Sequence, residues 1–425
     1  MPRRLRVLIS AYYCSPYRGG EAAVGWRYAT GLAQDHDVTV ICGDLAADGP
    51  IGRDIQRYKR EQGLPPGLSI HHIQAEGLTR KIHDLHALPG MWFLYYEAYR
   101  RWQFEVLALA RRLHAEQAFD LVHHLTIIGY REPGYLREMG IPFVWGPING
   151  AALMPWHYIG GFGGGGAYRH LTRNFLNLIQ SRLPGRSRRA ARAAAKIWCV
   201  TREDLEMVED LWGCAGELMI ETGASPVDSP SIRCLHTGDP LRLVWCGLIE
   251  DRKALHLLLE ALASLPAGLA WELQVIGDGP RRERCKAMAA SLGIAASVHW
   301  AGSVGHAEVQ ELMARGHVLV HSSLKEGTPH VVLEALSQAL PVICHDACGM
   351  GVAVTEECGI KVPMLDPDTS IRGFRDAIIR IATEQGLLEQ LSGGAISRAR
   401  EQSWQSKIAV VSAAYRQIAA SPEFI

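Results

Sequence analysis

Short apolar runs alternate with helix-period stretches along nearly the whole chain. Leu5 to Ser10 reads LRVLIS, a compact β-rich run, followed by a glycine-bearing loop and the helical pattern WRYATGLAQ. The next strand pattern is HDVTVIC, from His36 to Cys42. Strand, loop, helix, strand is the opening of a βαβ unit. DLVHHLT (Asp120 to Thr126), PFVWGP (Pro142 to Pro147) and KIWCVT (Lys196 to Thr201) read as further strands, apolar enough to be buried on both faces.

The second half repeats the grammar. LRLVWCG (Leu241 to Gly247) is a strand, and DRKALHLLLEALASL is strongly helical in its apolar spacing. WELQVIGDG supplies another strand and turn, and RRERCKAMAASLG a helix closed by Gly293. SVHWAG, a helix over His306 to Arg315, HVLVHSS, HVVLEALSQAL and PVICHD follow. Between the halves, Glu221 to Pro240 is rich in Gly, Pro, Ser and Asp and has no sustained period, so it reads as a linker or domain edge. The fold class expected is α/β: two Rossmann-like domains facing each other across a cleft, each with a mostly parallel sheet.

At 425 residues with 48% hydrophobic content, the chain can bury two sizeable cores. The 44 basic and 44 acidic residues balance, which argues against nucleic acid as a partner. Ten cysteines occur without a CxxC or a metal-ligand spacing, so they read as reduced, core-filling thiols, and no metal site is expected. The basic-then-apolar start MPRRLRVLIS is a poor signal peptide, and no run reaches the roughly 18 apolar residues of a membrane span. A cytoplasmic location is expected, with attachment to the inner face of a membrane open.

The candidate chemistry is concentrated in HSSLKEGTPHVVLEALSQALPVICHDACGM, from His321 to Met350. Glu326 falls in the turn after a strand, where open parallel sheets bind ligands. Thr328 is placed as an N-cap with Pro329 at the first helical position. Glu334 sits among Val331, Val332, Ala335 and Leu336, on a surface where a carboxylate needs partners. The two carboxylates suit a ligand bearing several hydroxyls, although a solvated turn residue and a sideways-pointing helix residue fit the same spacing.

EGTPHVVLEALSQALPVI resembles the EGxPxxxxEAxxxGxPVI segment of retaining glycosyltransferases of family 4, which have the GT-B fold. WCGLIEDRKALHLLLEAL resembles that family's GRLxxxKGxxxLLxAL segment. SPYRGGEAAVGW resembles its glycine loop beneath the donor diphosphate, and WGPINGAALMPW a loop found in some members. The resemblance implies a GT-B enzyme with residues 1–225 as an acceptor-side domain and 226–395 as a nucleotide-sugar-binding domain. Residues 396–425 would form a helical segment crossing back to the first domain.

The resemblance also implies roles. Glu326 would contact donor-sugar hydroxyls and Glu334 the nucleotide ribose. Gly19 and Gly20 would let the backbone approach the diphosphate ahead of a helix. Lys253 would neutralise the diphosphate, beside the strand-end Gly247. Leu248 stands where the family has arginine, and Arg252 is the nearby substitute. Gly327, Thr328, Asp346, Gly349 and Gly351 would line the donor through backbone and side-chain groups. A strand-end histidine would lie near the transferred sugar; the choice between His123 and His124 is open, and His124 is preferred. At Ala339 the chain departs from the family's glycine.

The function implied is transfer of a sugar from a UDP-, GDP- or ADP-sugar, used as substrate, to a glycan or lipid-linked acceptor in polysaccharide or glycoconjugate biosynthesis. The transfer would retain configuration and require no metal or other cofactor. Rival readings are a GT-B nucleotide-sugar epimerase and a non-catalytic GT-B scaffold. Residues 169–196 carry eight Lys or Arg and no Asp or Glu, and 91–102 is aromatic-rich. Both stretches suit peripheral contact with an anionic membrane or receipt of a lipid-linked acceptor.

Overall fold

The computed structural model describes residues 3–183 and 185–422. Its first half builds a seven-stranded sheet from β1 (Arg6–Ala11), β2 (Asp37–Asp44), β3 (Leu68–Gln74), β4 (Leu121–Thr126), β5 (Phe143–Ile148), β6 (Lys196–Cys199) and β7 (Glu217–Leu218). The second half builds a six-stranded sheet from β8 (Leu241–Cys246), β9 (Trp271–Ile276), β10 (Val298–Gly302), β11 (Val318–His321), β12 (Val342–His345) and β13 (Gly359–Val362). The orders are β3-β2-β1-β4-β5-β6-β7 and β10-β9-β8-β11-β12-β13. All the strand pairings are parallel. These are two Rossmann-like domains.

Six helices position the site: α1 (Glu21–Leu32), α2 (Leu94–Gln117), α3 (Gly163–Arg182), α4 (Leu255–Ala263), α5 (His330–Ser337) and α6 (Trp404–Ala419). The parallel sheets are apolar on both faces, as the uninterrupted strand patterns require: β4 and β5 are buried at every position. Helix α6 leaves the second half and packs on the first. Its Val411, Ala414, Tyr415 and Ile418 join the core formed by β1 and α1. His36 and His123 bond to Ser412 at 2.8 Å and Tyr415 at 2.5 Å, anchoring α6 by its polar groups as well.

A second connection precedes the domain junction. Met154, Tyr158, Ile159 and Phe162, from the segment after β5, form one buried cluster with Ala254, Leu257 and Leu324 of the second domain. The Tyr158 hydroxyl lies 2.6 Å from Ser370 Oγ and donates to the Asp366 carbonyl at 2.8 Å. The two domains are therefore joined by apolar burial on one side and by α6 on another.

One expectation about local structure is corrected, and two features are added by the structure. Pro329, not Thr328, is the N-cap of α5, and no side chain caps it. The Thr328 side chain is instead buried, beside the Glu221 carboxyl. The basic stretch 169–196 divides into two helices, α3 and Arg186–Ala193. The strands at Leu68–Gln74 and Gly359–Val362 were not anticipated, because His71 and His72, and Lys361, dilute their apolar patterns.

Candidate active site

In each sheet the strand order reverses once, between β1 and β4 and between β8 and β11. Connections leave such a switch point in opposite directions, opening a crevice at the carboxyl ends of the strands. In the first domain the loop after β1 carries Gly19 and Gly20 to the start of α1. A Cβ at either glycine would meet nothing within 4 Å, and Gly20 has φ 62°. The backbone is thus open to a ligand at a helix N-terminus, where N–H groups and the helix dipole favour an anion.

In the second domain the turn after β8 carries Gly247, Arg252 and Lys253, and the turn after β11 carries Glu326. Because β8 and β11 are neighbours, these residues converge. Lys253 Nζ donates to Glu326 Oε2. Arg252 Nη1 donates to the same oxygen at 3.2 Å, and the Ser323 hydroxyl donates to it at 3.1 Å. Arg252 is held in place by Glu250 at 2.7 Å and by the Lys325 carbonyl at 2.8 Å. Burial pushes the Glu326 carboxyl up, but Lys253, His321 and Arg252 outweigh it and hold the pKa below the usual value. Glu326 is therefore ionised, and its second oxygen, Oε1, has no protein partner among the described residues.

Glu334 stands apart from that cluster. It is half-buried on α5, bonded to Gln310 Nε2 at 3.4 Å, and burial raises its pKa.

Gly327, in the turn before α5, and Gly349, in the short helix Cys348–Ala353 after β12, pack closely. A Cβ on Gly349 would lie 1.6 Å from the Gly327 carbonyl, and the Gly349 N–H donates to the Glu326 carbonyl at 3.0 Å. A Cβ on Gly327 would meet the Asn149 side chain at 1.8 Å, across the cleft from β5. Asp346 and Gly351 are engaged rather than free. Arg202 of the first domain reaches Asp346 at 3.1 Å and the Gly351 carbonyl at 3.3 Å, and Lys361 pairs with Asp346 at 3.3 Å.

The preference for His124 is corrected. His123 and His124 do point to opposite faces of β4, yet both are fully buried inside the first domain. His123 bonds Tyr415 and the Gly146 carbonyl; His124 Nε2 lies 3.1 Å from the Glu132 carbonyl. Burial drives the His124 pKa down to about 3, so it is a neutral core imidazole.

Residues the sequence reading passed over are Ser323, which bonds Glu326, His321, 3.9 Å from it, and Lys325. Lys325 donates to the Ala152 carbonyl across the cleft. All three lie in the HSSLKEG stretch already singled out, and their polarity at a strand end was the available signal. A cavity of about 670 Å³ lies elsewhere at the junction of the domains and α6, lined by Ile220, Lys361, Arg398 and Lys407. It shares Arg202, Gly351 and Lys361 with the groups above, and the convergence of Lys253, Arg252 and Glu326 at a switch point favours the cleft as the site.

Residues 235–398 match the family model of glycosyl transferases group 1. The matched stretch is most of the second domain, from before β8 through β13 and beyond, and it includes Lys253, Glu326 and Glu334. The lipopolysaccharide core biosynthesis glycosyltransferase LpsE of Rhizobium meliloti (strain 1021) is 28% identical over 169 residues, covering 40% of this chain and 44% of that protein. The lipopolysaccharide glucosyltransferase WaaG of Escherichia coli (strain K12) is 38% identical over 124 residues, covering 28% and 32%. These matches span less than half of either relative's length. The fold similarity extends further. The sucrose-phosphate synthase (tll1590) from Thermosynechococcus elongatus superposes with a TM-score of 0.63 at 18% identity, over 98% of this chain and 100% of that one.

Proposed function

We propose that the protein is a retaining glycosyltransferase that moves a sugar from a nucleotide-sugar donor to a glycan or lipid-linked acceptor in polysaccharide or glycoconjugate assembly. The observation that carries this reading is the Lys253–Arg252–Glu326 cluster at the switch point of the group 1 segment, with an open glycine backbone at the α1 N-terminus at the switch point of the other sheet. A nucleoside diphosphate bridges such a pair chemically. Its phosphates take the cations and N–H groups, while sugar hydroxyls take the free carboxylate oxygen of Glu326. Glu334, off to the side of the strand end, suits a ribose diol.

In this reading Lys253 and the α1 N-terminus stabilise the charge that grows on the departing diphosphate. That diphosphate oxygen accepts the proton of the attacking hydroxyl on the same face, so no protein nucleophile takes part. Glu326 orients the sugar as positive charge develops at its anomeric carbon. A cytoplasmic protein resting on the inner face of a membrane would meet a lipid-linked acceptor there. The test is sugar transfer from UDP-, GDP- and ADP-sugars, with Lys253→Ala as control. Absence of transfer from all three would favour a non-catalytic scaffold, the reading that Leu248 supports by standing 52% exposed where the resembling family has arginine.

A further inference from the structure

Helix α3 carries its pattern inside out. Its buried residues are Asn174, Asn177 and Ser181. Tyr168, Leu171, Phe175, Leu176 and Ile179 are 39–74% exposed. At about 100° per residue, the five apolar side chains cover an arc of roughly 140° opposite the three polar ones. A helix that only packs on its own domain shows the reverse.

The buried polar face is fully engaged, which fixes this orientation. Asn174 accepts from the Met154 N–H at 2.9 Å and donates to the Met154 carbonyl at 2.7 Å. Asn177 donates to the carbonyls of Gly150 and Ala151 at 3.1 and 2.9 Å and accepts from the Tyr130 hydroxyl at 2.7 Å. Rotating α3 to hide its apolar stripe would break these bonds and strand buried amides.

The surroundings indicate what covers the stripe. The exposed Arg169 and Arg173 flank it, and the helix that follows adds the exposed Arg189 and Arg192, while Arg186 is paired with Glu132. The stretch 169–196 holds eight basic and no acidic residues. An exposed ring precedes it: Trp156 at 48%, just before α3. Arg131 adds a further cation against α3, bonding Gln180 at 2.6 Å. An apolar helical stripe with an indole ring and one-signed charge complements an anionic lipid surface.

We propose that α3 lies in the plane of an anionic membrane, its apolar stripe at the headgroup–acyl boundary, and so holds the mouth of the cleft against the lipid. The coupling is direct. Asn174 and Asn177 grip the loop 150–154, and its Ala152 carbonyl accepts from Lys325, the neighbour of Glu326. This deepens the acceptor part of the proposed function and rests on that reading only for the identity of the molecule delivered.

The test is sedimentation of the full chain with vesicles of phosphatidylglycerol and phosphatidylethanolamine, against phosphatidylcholine alone. The Leu171→Asp/Phe175→Asp variant is run alongside. Both changed side chains are exposed, so unaltered thermal unfolding should confirm that the variant is folded. The expected result is binding to the anionic vesicles only, weakened by salt and reduced by about tenfold or more in the variant. Equal binding by variant and wild type, or no binding, would overturn the proposal. So would a dimer in light scattering that the variant dissolves, since a second copy would then cover the stripe. Nucleotide binding is read separately by calorimetry, so loss of vesicle binding alone leaves the donor site standing.

Discussion

Lys253 and Glu326 are seventy-three residues apart in sequence and joined by an ion pair in space. Each is largely buried, with side-chain exposures of 11% and 17%. The pair exists because β8 and β11 adjoin at the switch point, and the residues that follow each strand must turn into the same crevice. Removing one partner leaves a partly desolvated charge, whereas removing both does not. Lys253→Met and Glu326→Gln should each destabilise the protein by on the order of 2 kcal/mol, with the double change costing less than the sum of the singles. Chemical denaturation of the four proteins measures this. Strict additivity would show that the pair is not coupled.

Gly327, in the turn before α5, and Gly349, in the helix that packs on that turn, differ in what surrounds them. Gly349→Ala drives a methyl into the Gly327 carbonyl, a backbone atom that cannot yield without opening the turn. Gly327→Ala meets only the Asn149 amide, which can swing aside. Gly349→Ala should therefore lower the melting temperature markedly and abolish nucleotide binding, while Gly327→Ala should leave stability nearly unchanged. Equal melting temperatures for the two variants would contradict this account of the turn.

Two alanines stand in left-handed backbone where the resembling family's segments have glycine: Ala254 at φ 48° and Ala339 at φ 58°. For an L-residue that conformation costs about 1–2 kcal/mol, which outweighs the unfolded-state entropy that glycine adds. Ala254→Gly and Ala339→Gly should each stabilise by up to about 1 kcal/mol, since both also forfeit a buried methyl. Thermal unfolding of each variant decides it, and a clear loss of stability in either would show that methyl packing outweighs backbone strain.

Glu21 supplies a pH signature. Burial, then the nearby Glu221, raises its pKa from 4.5 to about 7. The folded protein thus holds this proton more tightly than the unfolded chain does. Its contribution to stability is complete below about pH 4.5 and is lost as pH rises through about 7. Glu21→Gln removes that loss, so the variant should gain on wild type between pH 5 and 8, by on the order of 1–2 kcal/mol. Melting curves that stay parallel across this range would contradict it.

Much of this architecture was legible because parallel strands buried on both faces leave unbroken apolar runs, and because Gly, Pro and Asp punctuate the turns between them. The positions of Gly20, Lys253 and Glu326 followed from those runs together with the family resemblance. What escaped had physical reasons. Alternation along β4 separates the faces on which His123 and His124 lie, but says nothing of α6 covering one and the Glu132 backbone the other. Thr328 has N-cap chemistry, yet the chain enters the helix one residue later, at Pro329. The inverted face of α3 reads as an ordinary mixed pattern until the hydrogen bonds of Asn174 and Asn177 show which side is inside.

The central claim is a nucleotide-sugar site in the cleft, and calorimetric titration with UDP, GDP and ADP and their common sugar conjugates tests it most directly. Wild type and Glu334→Ala would be compared. The account predicts selective binding of one nucleotide, lost or weakened by about tenfold or more when the Glu334 carboxylate no longer meets the ribose. No binding of any nucleotide, or equal binding by the variant, would contradict it.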